Sequence, residues 1–126
     1  TLLNTDKVLY ASFLNRIAEE VYDPWVSNLE TAIRESKFKD KKLETTLYVT
    51  KVLLTMDKMG EIQGIKIMKS SGMDFVDDAP KRAFWALQGF RNPPQQLLQE
   101  DGYIRLTYEF HLEYKNSGFS IIPNRL

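Results

Sequence analysis

The chain reads as an α+β domain. An N-terminal helix, kinked at Asp23-Pro24, precedes a β-hairpin, a second helix and a final strand, giving a three-stranded antiparallel sheet packed by helices. Three observations predict this class. Leu9, Phe13, Ile17 and Val21 recur every four residues, the spacing of one helix face. Ile104, Leu106, Tyr108, Phe110, Leu112 and Tyr114 alternate with Tyr103, Arg105, Thr107, Glu109, His111 and Glu113, the period of a strand with one buried and one wet face. Between two β-rich runs stands Asp57-Lys58-Met59-Gly60, a hairpin signal in which Gly60 supplies the positive φ of a tight turn.

A length of 126 residues fits one domain with one modest core. Within it, residues 1–42 are expected to form a helical segment packed on a core of residues 43–126. The 17 basic and 17 acidic residues cancel, so composition makes no case for nucleic acid or an anionic membrane as partner. Without cysteine, disulfide frameworks and thiolate chemistry are excluded. No apolar run reaches the length of a membrane span and no signal peptide is visible.

In chain order, Thr5 or Asp6 is placed to cap the first helix, with Tyr10 and Leu14 widening its apolar face. Pro24 lacks a backbone donor and disfavours helical angles at Asp23, so an interruption is expected there. A fresh helical start follows, carrying Trp25, Val26, Leu29, Ala32 and Ile33. Lys37–Lys42 reads as a solvated linker whose cations suit a helix C-terminus, with a partner-steering patch as the other reading. Thr45–Met56 carries Tyr48, Val52, Leu54 and Met56 on one face and Leu47, Val49 and Leu53 on the other, the pattern of a strand internal to a sheet or of one with a helix on one side and another element on the other. Along Glu61–Ser70, Ile62 stands in one phase and Ile65 and Ile67 in the opposite one, and a β-bulge at Gly64 explains the change.

Ser70-Ser71-Gly72 reads as a turn. Asp77 is then the expected cap of the second helix, because Pro80 is tolerable only in a first turn. Val76, Ala79, Ala83, Leu87 and Phe90 form its buried stripe. Trp85 points away from that stripe, either against the N-terminal helix or outward as an aromatic anchor for a partner. Gly89 and Pro93-Pro94 end the helix and lead into a loop, Gln95–Asp101. The wet face of the final strand carries charge of both signs, as edge strands often do. The tail Lys115–Leu126, with Phe119, Ile121, Ile122 and Pro123, is expected either to add a short strand or to be mobile.

A hydrolase would need Ser70 or Ser71 as nucleophile with His111 as base and Glu109 or Asp77 as orienting acid. A lone histidine on an alternating strand is more often a surface residue, and no glycine-flanked nucleophile turn is present. No His or Cys pair stands at metal-ligand spacing. The expectation is therefore a binding module, with no catalytic residues, no cofactor and no metal.

The ordered set Val52, Leu54, Met56-Asp57, Gly60, Ile62, Ile65, Ile67-Met68-Lys69-Ser70-Ser71-Gly72, Val76-Asp77, Ala79, Ala83, Phe90 and Pro93-Pro94 resembles the C-terminal domain of TonB-type energy transducers and of the related TolA. Tyr10, Ile17 and Asp23-Pro24-Trp25 fit the preceding helix more loosely. The resemblance covers Thr45–Tyr114. Pro80 and Lys81 depart from it, standing where the family has a small helix former and an apolar residue.

The resemblance implies a periplasmic domain of an inner-membrane anchored protein, whose anchor and proline-rich spacer would precede Thr1. It implies coupling to a motor complex of the ExbB/ExbD type through that preceding part. Its partner would be a peptide of an outer-membrane TonB-dependent receptor or of a periplasmic protein, added as a strand to the free edge of Gly102–Tyr114. Tyr103, Arg105, Thr107, Glu109, His111 and Glu113 would then set side-chain selectivity. A TolA-like role in envelope integrity, or a homodimer formed by strand exchange, are the other readings.

Overall fold

The computed structural model describes residues 4–35, 47–113 and 118–123. Its elements are helix α1 (Asn4–Arg34), strands β1 (Leu47–Met56) and β2 (Ile62–Lys69), helix α2 (Asp74–Leu87), a 3₁₀ turn at Gln95–Leu97, and strands β3 (Ile104–Glu113) and β4 (Gly118–Pro123). The sheet is antiparallel throughout, in the order β2-β1-β3-β4. It therefore has four strands rather than the expected three. The tail supplies the fourth by folding back along β3, and its short Phe119/Ile121 alternation carries too little periodicity to announce a strand by itself.

The expected break at Asp23-Pro24 is absent. Helix α1 runs through Pro24 as one element of 31 residues. Pro24 removes the N–H that would bond the Glu20 carbonyl, but the apolar stripe continues in phase across it. Tyr10, Phe13, Leu14, Ile17, Val21, Trp25 and Leu29 are all buried, so the helix gains more by staying docked than it loses at one bond. Leu9, expected on this face, is exposed, and Tyr10 takes its place. The Lys37–Lys42 run lies outside the described residues, as does Tyr114.

β1 buries Tyr48, Thr50, Val52, Leu54 and Met56 beneath the helices and leaves Leu47, Val49, Lys51, Leu53 and Thr55 on the opposite face. The bulge expected at Gly64 is present: Met56 pairs with Ile62 and Thr55 with Gly64, leaving Gln63 as the extra residue. A second irregularity follows where Val52 pairs with Ile67 and Lys51 with Lys69. The hairpin closes by a bond from the Gly60 N–H to the Asp57 carbonyl at 3.0 Å, and the Asp57 carboxylate accepts from the Met59 and Glu61 amides at 2.9 and 3.0 Å. Gly60 has φ +86°, and a Cβ on it would stand 1.8 Å from the Phe90 carbonyl oxygen. The glycine thus serves the turn and also lets the segment after α2 bond directly onto it, Phe90 N–H to Gly60 carbonyl at 2.9 Å.

α2 begins three residues earlier than Asp77, with Met73 at its N-cap, so Pro80 lies inside the helix rather than in its first turn. Asp77 is not the cap. Its carboxylate accepts from the Thr50 hydroxyl at 2.8 Å, the Ser71 amide at 2.9 Å and the Ser70 hydroxyl. Val76, Ala79, Ala83 and Phe90 are buried as expected and Leu87 is half-buried. Phe84, unforeseen, is fully buried among Phe90, Tyr108 and Phe110. Asn28 of α1 donates to the Ala79 carbonyl at 3.2 Å, joining the two helices. Both helices pack on the sheet face that carries Tyr108 and Phe110, and no described element covers the other face.

Candidate functional site

β3 is held from behind. Ile104, Leu106, Tyr108, Phe110 and Leu112 are buried, and the Tyr108 hydroxyl donates to the Leu14 carbonyl of α1 at 3.0 Å. Burial pushes the Tyr108 phenol far above its ordinary value, so it stays a neutral donor. Trp25 stacks edge-on against Phe110 and against Phe119 of β4, at 5.1 and 5.8 Å between ring centres. The strand's backbone is therefore presented on a rigid support.

The edge expected to be free is free over only half its length. β4 pairs with β3 from Tyr108 to Glu113, setting Ile122 opposite Glu109, Ser120 opposite His111 and Gly118 opposite Glu113. The cause is the tail, which returns antiparallel and seats Phe119 and Ile121 partly against the core. Ile104–Thr107 pairs with β1 on one side and with no described strand on the other.

The six residues expected to meet a partner separate accordingly. Tyr103, Arg105 and Thr107 lie at or beside the uncovered half, whereas Glu109, His111 and Glu113 lie along the half that β4 covers. The five within β3 share the sheet face opposite the helices, and Tyr103 stands just before the strand. Arg105 is already engaged: its guanidinium forms an ion pair with Asp101 at 2.7 Å, donates to the Gln99 side-chain oxygen and stands 5.7 Å from the Tyr103 ring centre. Hydrogen bonding from Arg105 holds the Asp101 carboxyl below its ordinary value, and the same pair raises Arg105. Tyr103 is left 38% exposed beside this cluster. His111 Nε2 and Glu109 Oε1 are 2.9 Å apart, so these two satisfy each other. Trp85 is 49% exposed on α2.

The serines stand apart from this face. Ser70 donates to Asp77 and Ser71 to the Met73 carbonyl, both at the start of α2 on the helix side, while His111 lies on the open side with Glu109. No nucleophile–base pair is assembled from them.

The opposite sheet edge is blunted. β2 carries two bulges and the exposed Lys66 and Lys69, and its start is bridged by Gly89. Bulges and lysines are what discourage edge pairing. The tail that carries Phe119, Ile121 and Ile122, left open in the sequence between a short strand and a segment without one, forms the strand that covers half of the β3 edge.

A family model described as TonB C terminal matches residues 22–107. The chain belongs to the TonB C-terminal family. Nothing among curated proteins or solved structures matches it. TonB C-terminal domains are protein-interaction domains, not enzymes. The TonB match runs from within α1 through the hairpin and α2 to Thr107, ending where β4 begins to cover β3. No described helix is long and apolar enough to cross a membrane.

Proposed function

We propose that this chain is the periplasmic partner-binding domain of a TonB-type energy transducer. In this reading the protein is anchored in the inner membrane and driven there by a motor complex of the ExbB/ExbD type. The domain, residues 1–42 and the core of residues 43–126 acting as one unit, adds an extended peptide of an outer-membrane receptor to its sheet as a further strand.

The observation that carries the reading is the half-open edge of β3. Among the described residues Ile104–Thr107 has a partner strand on one side only, in line with β4, while the β2 edge is defended. An incoming strand there would bond the free backbone groups, each bond contributing about 1 kcal/mol net. Tyr103 and Thr107 would contact its side chains directly, with Arg105 holding Tyr103 in place through the Asp101 pair. Glu109, His111 and Glu113 would join the site as far as β4 yields.

An NMR titration with peptides from the N-terminal plugs of outer-membrane receptors of the same genome tests this. The expected result is shifts concentrated at Tyr103–Thr107 and on β4. Saturating peptide that shifts only residues elsewhere, or none, would refute edge addition and favour a TolA-like role with a soluble periplasmic partner.

A further inference from the structure

The sheet face away from the helices holds a charge arrangement that the edge site does not use. Lys51 of β1 and Lys69 of β2 stand directly opposite each other in register. Like charges so placed repel. Lys66, one step along β2, is opposite Leu53 and faces the same way, since its neighbours Ile65 and Ile67 pack toward the core. None of the three lysines forms an ion pair among the described residues.

The natural partner of Lys51 is its other cross-strand neighbour, Glu109 of β3, but Glu109 is bound to His111. Leu53 and Val49, both half-buried, lie along β1 on either side of Lys51 and give the lysines an apolar floor. Leu47, 45% exposed, extends it toward the start of β1.

From this we infer that the open face over β1 and β2 is a second docking surface, and that its occupant is an acidic polypeptide segment in which carboxylates alternate with apolar side chains. The carboxylates meet Lys51, Lys66 and Lys69, and the apolar groups rest on Leu53 and Val49. A broad anionic surface such as a membrane fits less well, because Glu109 and Glu113 on the β3 side of the same face would repel it. The whole chain has no net charge to draw it to such a surface. A narrow segment along β1 and β2 stays clear of Glu113 and passes only Glu109, beside Lys51, whose carboxylate is held by His111. This inference stands independently of strand addition at the β3 edge.

The test is an NMR titration of the whole chain with a soluble peptide alternating Glu and Val. Its Lys/Val counterpart and phosphatidylglycerol vesicles are run in parallel. Binding of the acidic peptide should shift Lys51, Leu53, Lys66 and Lys69 and should fade as salt is added. Lys51→Gln, Lys66→Gln and Lys69→Gln should each weaken it by about twofold to fivefold, the range of exposed ion pairs, and the triple variant should abolish the shifts. These substitutions lie on an exposed face, and unchanged spectra over the helices verify the fold. Any of these results would overturn the inference: equal binding of the Lys/Val peptide, unchanged binding by the triple variant, shifts confined to the β3–β4 edge, or stronger binding to vesicles. Concentration-dependent shifts at the same residues without peptide would also overturn it, by making a second copy the occupant.

Discussion

Asp77 accepts from Thr50, Ser70 and Ser71, which belong to β1 and to the turn before α2. Thr50 is the buried polar side chain of the described core, and this bond satisfies it. Burial alone would raise the Asp77 pKa, but the hydrogen bonds from Ser70, Ser71 and Thr50 outweigh it and hold the carboxyl below the ordinary aspartate value. A depressed folded-state value means that the stabilisation is fully present above the ordinary carboxyl range. It is lost as pH falls through the depressed value. Asp77→Asn should therefore cost about 1–2 kcal/mol near neutrality, from weakened bonds to a charged acceptor that is still partly exposed. Urea denaturation across a pH series should show the gap between variant and parent closing in acid. The local features of this cluster were legible: Ser-Ser-Gly was a turn and Asp77 sat at a helix start. The bond to Thr50 spans 27 residues and leaves no periodic trace in the sequence, which is why Asp77 read as a simple cap.

At the level of elements, β1, β2 and β3 were legible from alternation, and the bulge at Gly64 from a change of phase. Two elements were misread for opposite reasons. In α1 a strong local signal, Pro24, was overridden by packing that only tertiary structure supplies, although Trp25 and Leu29 kept the phase of Ile17 and Val21. In β4 the local signal was weak and the partner strand supplied the order. β4 is short and exposes Ile122 by 44%, so it covers β3 with modest burial. Deleting residues 114–126 should uncover the edge from Tyr108 to Glu113 and create a long unpaired strand. Analytical ultracentrifugation should then show concentration-dependent self-association exceeding that of the full chain. Identical sedimentation of the two forms at all concentrations would contradict this view of the edge.

For the molecule as a whole, strand order was the least legible property, because β2-β1-β3-β4 depends on pairings far apart in sequence. The order has a thermodynamic consequence. Among the described residues β1 is bonded on both sides along most of its length, β3 on both sides only from Tyr108 onward, and β4 on one side. Local opening should follow that gradient. Native-state hydrogen exchange should find β1 amides slowest and β4 amides fastest, with Ile104–Thr107 exchanging ahead of Tyr108–Leu112. Uniform protection across the four strands would show that the sheet opens only as a unit.

If a partner strand adds beside β3 as proposed, the bond from Tyr108 to the Leu14 carbonyl, with Phe110 lodged against Trp25, gives a pull on it a path into α1. A tug along a strand laid beside β3 runs parallel to the sheet, so the new bonds bear it together in shear instead of unzipping singly. From β3 the tension would pass through Tyr108 and Phe110 into the middle of a single unbroken helix. A domain jointed at Pro24 would yield at that joint; one whose longest strut spans it hands the tension on toward the helix's N-terminal end.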